Sequence, residues 1–585
     1  STMVNGVSKQ KKRSLYHIGP LHRYDDGDPN YLERLRQSFR QGNPLIAELE
    51  PYVQMNRNTV SIEFDRSSEE QTTADIKNIG YFLVDALFDA LGISSVLTLH
   101  KSRKKIPYDL VGLTKLLVIG RTLSPASKIS TYENKDNYLM PVTESTDWHE
   151  IYKCLDELDK KSEAIQKRMN QKLTGPTGKR GEITYYDVTN YFFEIEQNDA
   201  DAFDEHGVLI KKGLRKKGVC KNNRKTPIVQ MGMFLDEHGI PVSYHLFPGN
   251  TLDQATLRPA MKKTIDQYNL KKIIIVADRG LTSNKNLAHI KDQAHGYVFS
   301  KSIKKCAKLE RTWVLDQEGY SSNKEGSFKV KSKIVTKKIK DENGKEVEVK
   351  EKVICYWSKK FYMRELKENE SFLATLQKYI DQPSSIKSEK GKLKKFIDET
   401  AVDGETGEIL NPRTLRSINM AKAQEFNDLM GYYMIVTSEI DRPDEEIIDT
   451  YRGLTRIEDS FRIIKSDLKA RPIYVSLEEH INAHFLVCFI ALVMMRLIQN
   501  KIVEATGAST KSAFDWEAGL SAMRIQTALK EYSAIEIPQG YFLTTKATED
   551  LKTITRALGI EKDLRIPTLS ELKQYRFDIR KKLIT

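Results

Sequence analysis

The sequence predicts a mixed α/β protein built around one mixed sheet, with helices before and after it and a β-rich segment let into its middle. Three observations point there. Between Ile76 and about Leu173 apolar residues recur at three- and four-residue steps, the period of buried helix faces. From Gly181 the period becomes strand-like, and one run, KIIIVAD, is apolar throughout, as in strands buried on both faces. About 130 residues, Lys301 to Met430, then intervene before a further strand and two long helical patterns. That length is too great for a loop and reads as an inserted, largely β domain.

A chain of 585 residues exceeds what one core supports, so several domains are expected. With 39% apolar and 9% aromatic residues, it is rich enough in core-formers to exclude global disorder. A net charge of +13 favours polyanionic partners. The five cysteines (Cys154, Cys220, Cys306, Cys355, Cys488) form no C-x-x-C pair, which argues against a zinc module or a disulfide framework and suits a reducing compartment. Met3 to Ser14 is polar and basic rather than a signal peptide, and Ser1-Thr2 reads as a remnant foreign to the natural chain. Phe485 to Ile498 is the most membrane-like stretch. Arg496 breaks it, and it falls short of the roughly 18 apolar residues a span needs, so a buried core helix and a soluble, intracellular protein are expected.

In chain order, residues 1–75 are polar, with basic stretches at Lys9 to Arg13 and Arg34 to Arg40. Residues 76–175 read as an all-helical domain, either a scaffold or dimer contact or a nucleic-acid-binding module. Residues 181–300 begin the core. ITYYDVT and YFFEI read as strands, followed by the basic loop Lys211 to Lys225; IVQMGMFL and IPVSYHLF form a hairpin about Asp236 to Gly239. A helix from Ala255 to Tyr268, the strand KIIIVAD, a helix from Asn284 to Asp292 and the strand GYVFSKS follow. Three strands in hairpin order and then alternating helix and strand is the order of a ribonuclease-H-like mixed sheet. Residues 301–430, the insertion, alternate like strands in FKVKSKIVTKKIK and VEVKEKVICYW and carry a Glu/Lys/Gly-rich patch from Lys387 to Gly407. Residues 431–506 complete the core with GYYMIVTSE and two helices, Pro443 to Leu468 and Leu477 to Thr506. The C-terminal region, 507–585, is mixed, and no element is assigned to it.

Two aspartates occupy chemically significant places. Asp187 lies inside the aromatic strand YYDVT, where a carboxylate is costly to bury unless paired or bound to metal. Asp278 closes KIIIVAD, at the carboxyl end of a strand where ligands of such sheets gather, though capping the next turn is an alternative role. The third acid follows from helical geometry. With Glu458 at zero and about 100° per residue, Leu454, Ile457, Phe461, Ile464 and Leu468 fall in a stripe about 80° to one side. Tyr451 and Lys465 lie within about 20° of Glu458 and Arg462 at about 40°, while Asp459 points to the opposite, solvated side. Glu458 is therefore the candidate, against the plainer reading of a surface pair with Arg462. Three carboxylates and no histidine cluster suit Mg²⁺, which takes oxygen ligands and keeps several waters. Two such ions roughly 4 Å apart can activate a water or a 3′-hydroxyl and stabilise a leaving oxygen.

YYDVTNYFFE, the loop FPGNT (Phe247 to Thr251), VADRG and YRGLTRIEDSFRIIK together resemble the signatures of bacterial insertion-sequence DD(E) transposases. The subgroup is the one with a Tyr-Arg-Glu-Lys helix and a β insertion. Separations of 91 residues from 187 to 278 and 180 from 278 to 458 suit a core split between the second and third carboxylates. The resemblance covers about residues 180 to 500. It implies cut-and-paste transposition: a nick at each element end, attack of the freed 3′-hydroxyl on the opposite strand to leave a hairpin, then joining to target DNA. It further implies Asp187 bridging two Mg²⁺ ions (Mn²⁺ substituting) with Asp278 and Glu458 holding one each. Implied partners are double-stranded DNA at the inverted repeats, target DNA and a second copy in a synaptic dimer, in the bacterial cytoplasm at the nucleoid, with no membrane. Tyr451 and Lys465 match the motif as phosphate contacts. The family's arginine, four residues before the glutamate, is replaced by Leu454, and Arg452 or Arg456 are the substitutes at hand; Arg462 is a further DNA-contact candidate. Trp313 or Trp357 of the insertion either stacks on an extruded base, as in relatives, or belongs to the core of that domain. The basic loop and the lysines near 301–308 and 329–340 are candidate phosphate contacts. Two rivals are a nuclease of this fold that cuts without joining and a non-catalytic DNA-binding descendant.

Overall fold

The computed structural model describes residues 16–40, 44–49, 75–174, 181–219, 225–268, 272–381, 427–507 and 519–584, with short pieces at 2–4, 7–9, 62, 270, 397–402, 413–418 and 424–425. Most of the basic stretch Lys9 to Arg13, Cys220 and most of the patch from Lys387 to Gly407 lie outside them. The chain divides into two compact units. The first comprises residues 1–75 with 536–542 and contains helix α1 (Tyr31–Arg40). The second, 76–535 with 543–585, carries everything that follows.

It opens on a short strand, β1 (Ile76–Asn78), and five helices: α2 (Tyr81–Ala90), α3 (Ile93–Lys104), α4 (Leu110–Leu123), α5 (Lys128–Glu133) and α6 (Glu150–Thr174). Their limits follow local chemistry. The Asp109 side chain accepts the Gly112 amide at the start of α4, and Ser127 accepts the Ser130 amide at the start of α5. Gly92, at φ 75°, makes the left-handed corner between α2 and α3.

The sheet comes next. β2 (Ile183–Phe192), β3 (Ile228–Asp236) and β4 (Pro241–Pro248) form an antiparallel meander. Helix α7 (Asp253–Tyr268) leads to β5 (Ile274–Ala277), and helix α8 (Asn284–Asp292) to β6 (Gly296–Lys301). β5 returns parallel to β2, and β6 parallel to β5. The order β4-β3-β2-β5-β6, with only the second strand reversed, is the ribonuclease-H-like arrangement. Where ITYYDVT and YFFEI suggested two strands, β2 runs unbroken for ten residues, because Thr189 and Asn190 are buried in the ladder rather than turned out.

The segment after β6 holds a short helix, α9 (Lys308–Leu315), the long hairpin β7 (Phe328–Lys340) and β8 (Glu346–Ser358), and a 23-residue helix, α10 (Lys359–Asp381). The hairpin does not make a sheet of its own. β8 pairs with β9 (Tyr432–Thr437), which pairs with β6, so the sheet continues to nine strands, the outermost a two-residue strand, Ser321–Ser322, on β7. A further hairpin, Ile397–Val402 with Arg413–Ile418, pairs with itself.

Beyond β9 the pattern expected as one helix is broken. Helix α11 (Asp444–Arg452) ends at Gly453, α12 (Thr455–Arg462) follows, and a π turn spans Ile463–Asp467. Helix α13 (Glu478–Thr506) is apolar on all sides and packs against α4, α6 and β4. It is the one described helix long and apolar enough to cross a membrane, yet 89% of its most apolar window is buried inside the protein. The C-terminal part contributes α14 (Ala522–Glu531), β10 (Ser533–Ile537), α15 (Glu549–Ala557) and α16 (Leu569–Ile584). β10 pairs with β1, and α16 packs on α2, where Arg576 bonds the buried Asp85.

Candidate active site

Register places the two aspartates. β2 and β5 are parallel neighbours with Tyr185 opposite Val276. Asp187 and Asp278 each lie two residues further on, so they stand level, Asp187 midway along β2 and Asp278 just past the end of β5. Tyr186 and Val188 point into the core beneath α7, where Tyr186 donates to Thr256 Oγ1. Alternation therefore puts Tyr185, Asp187 and Thr189 on the opposite face.

That face is covered by α11 and α12. Gly453 is pressed onto it so closely that a Cβ there would run into the Tyr185 hydroxyl, so the position between α11 and α12 requires glycine. Gly453→Ala should cost about 1–3 kcal/mol, read as a lower urea midpoint, and adding Tyr185→Phe should recover part of it. Further along, Arg456 bonds the Tyr185 hydroxyl, and the Lys465 ammonium donates to Thr189 Oγ1. Four strand residues and nine helix residues both span about 13 Å, so α12 runs alongside β2. Glu458 lies on α12 between these anchors.

Asp278 is exposed, and its Oδ1 accepts the Arg279 amide at 2.7 Å, the Ser300 hydroxyl at 2.7 Å and the Tyr451 hydroxyl at 3.5 Å. It thus also takes the capping role that the sequence allowed. Burial pushes the Tyr451 phenol far above its ordinary range, and the charges of Asp278 and Glu458 add to the rise. Tyr451 therefore sits in the field of both carboxylates.

The donors are all carboxylate oxygens, the chemistry a hard divalent ion takes. Their spacing does not form a ready cage: among the described residues no group of three or more His, Cys, Asp or Glu side chains stands close enough to hold a metal. The structure brings Asp187 and Asp278 to one strand level and Glu458 to the helix above, without closing them on one point.

The other candidates divide. Arg462 pairs with Asp459 at 2.9 Å and Asp467 at 3.3 Å. Arg452 pairs with Asp449 at 3.0 Å and lies over the Phe328 and Tyr356 rings. Leu454 is buried. Asp459 corrects the helical-wheel reading: rather than facing solvent, it reaches the fully buried Arg496 of α13 at 3.0 Å. A wheel drawn for one helix ignores the second helix packed on its far side.

Trp313 is half-buried against the core, with Lys333 Nζ 4.1 Å from its ring centre, and Trp357 donates its indole N–H to Met430 O. In the basic loop Arg215 pairs with Asp199, Lys216 with Asp201 and Lys211 with Glu478. Ser300 and Thr189, which hold Asp278 and Lys465, went unread. Ser300 could have been found by the rule that found Asp278, since it too lies near the carboxyl end of a parallel strand, in GYVFSKS.

The strand order defines a ribonuclease-H-like protein. The family model for the transposase DDE domain matches residues 201–494, and the chain belongs to that family. Its function at that level is DNA transposition, by nuclease and transesterase chemistry that in DDE transposases generally uses divalent metal. The match takes in Asp278 and Glu458 and begins after Asp187. No curated protein matches significantly. Among solved structures, the chain is similar to the piggyBac transposase synaptic complex with hairpin DNA, at 8% identity over 81% of this chain and 86% of that one, TM-score 0.31. It is also similar to the Mos1 mariner paired-end complex with Mn, at 12% identity over 46% of this chain and 68% of that one, TM-score 0.13. Superpositions this loose add nothing to the assignment.

Proposed function

We propose that this chain is a cut-and-paste transposase of the insertion-sequence group with the Tyr-Arg-Glu-Lys helix, with Asp187, Asp278 and Glu458 as its catalytic carboxylates. The observation that carries the reading is the level placement of Asp187 and Asp278 on adjacent parallel strands, beneath the helix that bears Glu458.

In this reading Asp187, Asp278 and Glu458 would hold two Mg²⁺ ions, with Mn²⁺ able to replace them, once the three carboxylates are drawn together on DNA. Bound divalent ions supply activation of water or a 3′-hydroxyl and relief of charge on the leaving oxygen. The chain's own residues do the positioning. Ser300 and Tyr451 fix Asp278 through Oδ1, so that its carboxylate would meet a bound ion in a set orientation. Tyr451 stays protonated at neutral pH, because burial and its acidic neighbours oppose loss of its proton, and it therefore remains a donor. Lys465, anchored on Thr189, brings positive charge to the same face for a DNA phosphate. Two copies assemble on paired inverted repeats, and the freed 3′-hydroxyl closes a hairpin before joining target DNA.

The test is incubation of the protein and Mg²⁺ with duplexes carrying the inverted repeats that flank its gene, followed by denaturing gels. Hairpin ends and joined products are expected, and chelation should abolish both. Cutting without joining would reduce the protein to a nuclease; unsealed ends with joining would remove the hairpin step. Binding should weaken steeply with salt, log K falling linearly with log salt as phosphates release their counterions. A flat response in a salt titration would defeat the DNA reading.

A further inference from the structure

A second basic site lies away from the carboxylates. Arg121, Lys128, Lys469, Arg471, Tyr474 and His484 line a cavity of about 390 Å³ between α4, α5 and the segment that follows α12, and its lining contains no carboxylate. Two of these cations are more than nine-tenths buried, Arg121 at 6% and Lys128 at 6% exposure. The Lys128 ammonium donates to His484 Nδ1 at 3.3 Å, and His484 Nε2 lies 3.0 Å from the Ala470 carbonyl. That arrangement requires a neutral imidazole, in keeping with burial pulling His484 far below its usual value. Arg121 spends its outer nitrogens on the carbonyls of Leu468, Lys469 and Ala126, and its buried Nε finds no partner among the described residues. Burial, with the Arg121 charge beside it, pulls Lys128 down to about 7, and no carboxylate acts to restore it.

Stability alone gives no reason for this. Two buried cations beside one another, without an acid, are costly. The cost is offset when an anion enters, because one phosphoryl group accepts several charged donors at once. We propose that this cavity is a phosphate-binding subsite that receives a backbone phosphate of DNA at a distance from the reacting bond. The choice of DNA rests on the transposase reading. Position favours it: the Arg471 guanidinium lies over the Phe192 ring at the end of β2. Phe192 is five residues beyond Asp187 on that strand, about 16 Å away, or roughly five base steps of duplex at 3.4 Å each.

The experiment uses the full chain, inorganic phosphate and a random-sequence duplex. Thermal melting of the wild type should rise with millimolar phosphate. Lys128→Met should melt higher than wild type without phosphate, having lost an uncompensated cation, and should lose the phosphate-dependent rise. Arg471→Ala, at the half-exposed mouth, tests the same site without touching the buried layer and should weaken the rise several-fold. In DNA titrations each variant should lower the salt slope by about one. Unchanged phosphate stabilisation in both variants overturns the site. Lost stabilisation with an unchanged salt slope assigns the cavity to a free phosphate and overturns its role on DNA. If the wild type binds no DNA, the transposase reading itself fails, a result distinct from either.

Discussion

Asp278→Ala should leave DNA binding intact and reduce strand cleavage by roughly a thousandfold or more, about 4 kcal/mol of activation barrier. Asp187→Ala and Glu458→Gln should do the same. The argument is positional: Asp187 and Asp278 share a level on adjacent strands, and Glu458 lies on α12, the helix that runs alongside β2. None of the three contributes to the sheet's apolar core. Melting temperatures should therefore hold or rise, which separates lost chemistry from lost fold. Gel assays of cleavage in Mg²⁺, paired with anisotropy of DNA binding, read both quantities. Full cleavage by Glu458→Gln would discard that residue as a ligand and with it the three-carboxylate site.

The second large effect concerns Asp459. Arg496, wholly buried in α13, donates to Ser460 Oγ, the Arg456 carbonyl and Gln499 Oε1, and Asp459 is the carboxylate paired with it. Asp459→Asn removes that charge and leaves a buried guanidinium without it, at a cost of about 3–5 kcal/mol. Because Asp459 is the neighbour of Glu458, the change should also loosen α12 and slow cleavage. Urea unfolding reads the first effect. The double variant Asp459→Asn/Arg496→Met should recover much of the stability; failure to do so would show that the packing of Arg496, not its charge, is what α12 requires.

How much of this was legible in the sequence depends on range. KIIIVAD and GYVFSKS read correctly as strands because a doubly buried strand has no polar face to confuse it. The helical angles that proposed Glu458 as the third acid also sent Asp459 to solvent, where it does not lie. The need for glycine at 453 could not be read, since it comes from the hydroxyl of Tyr185, more than 260 residues earlier. The partnership of Asp459 and Arg496 was hidden for the same reason. Helix α10 was missed although its signal is present: Tyr362, Leu366, Asn369, Leu373, Leu376 and Ile380 recur at alternating steps of four and three. The lysine-rich strands before it drew attention to the wrong period. That β7 and β8 extend the core sheet is decided by strand pairing with β9, on which residue pattern is silent.

The hairpin of β7 and β8 has mechanical meaning. Each arm is 13 residues long, about 43 Å, clamped at its root through β9 to the strand beside β5. It is held along its length and not at its root alone: Ile339 and Val349 are buried in the core, Lys291 of α8 donates to the Glu348 carbonyl, and Arg258 of α7 pairs with Glu342 at the turn. A load on the outer turn, near Asp341 to Lys345, therefore passes into α7 and α8, the helices before and after the strand that ends at Asp278. Replacing Ile339 and Val349 by alanine would loosen that coupling, whereas shortening both arms in register would remove it.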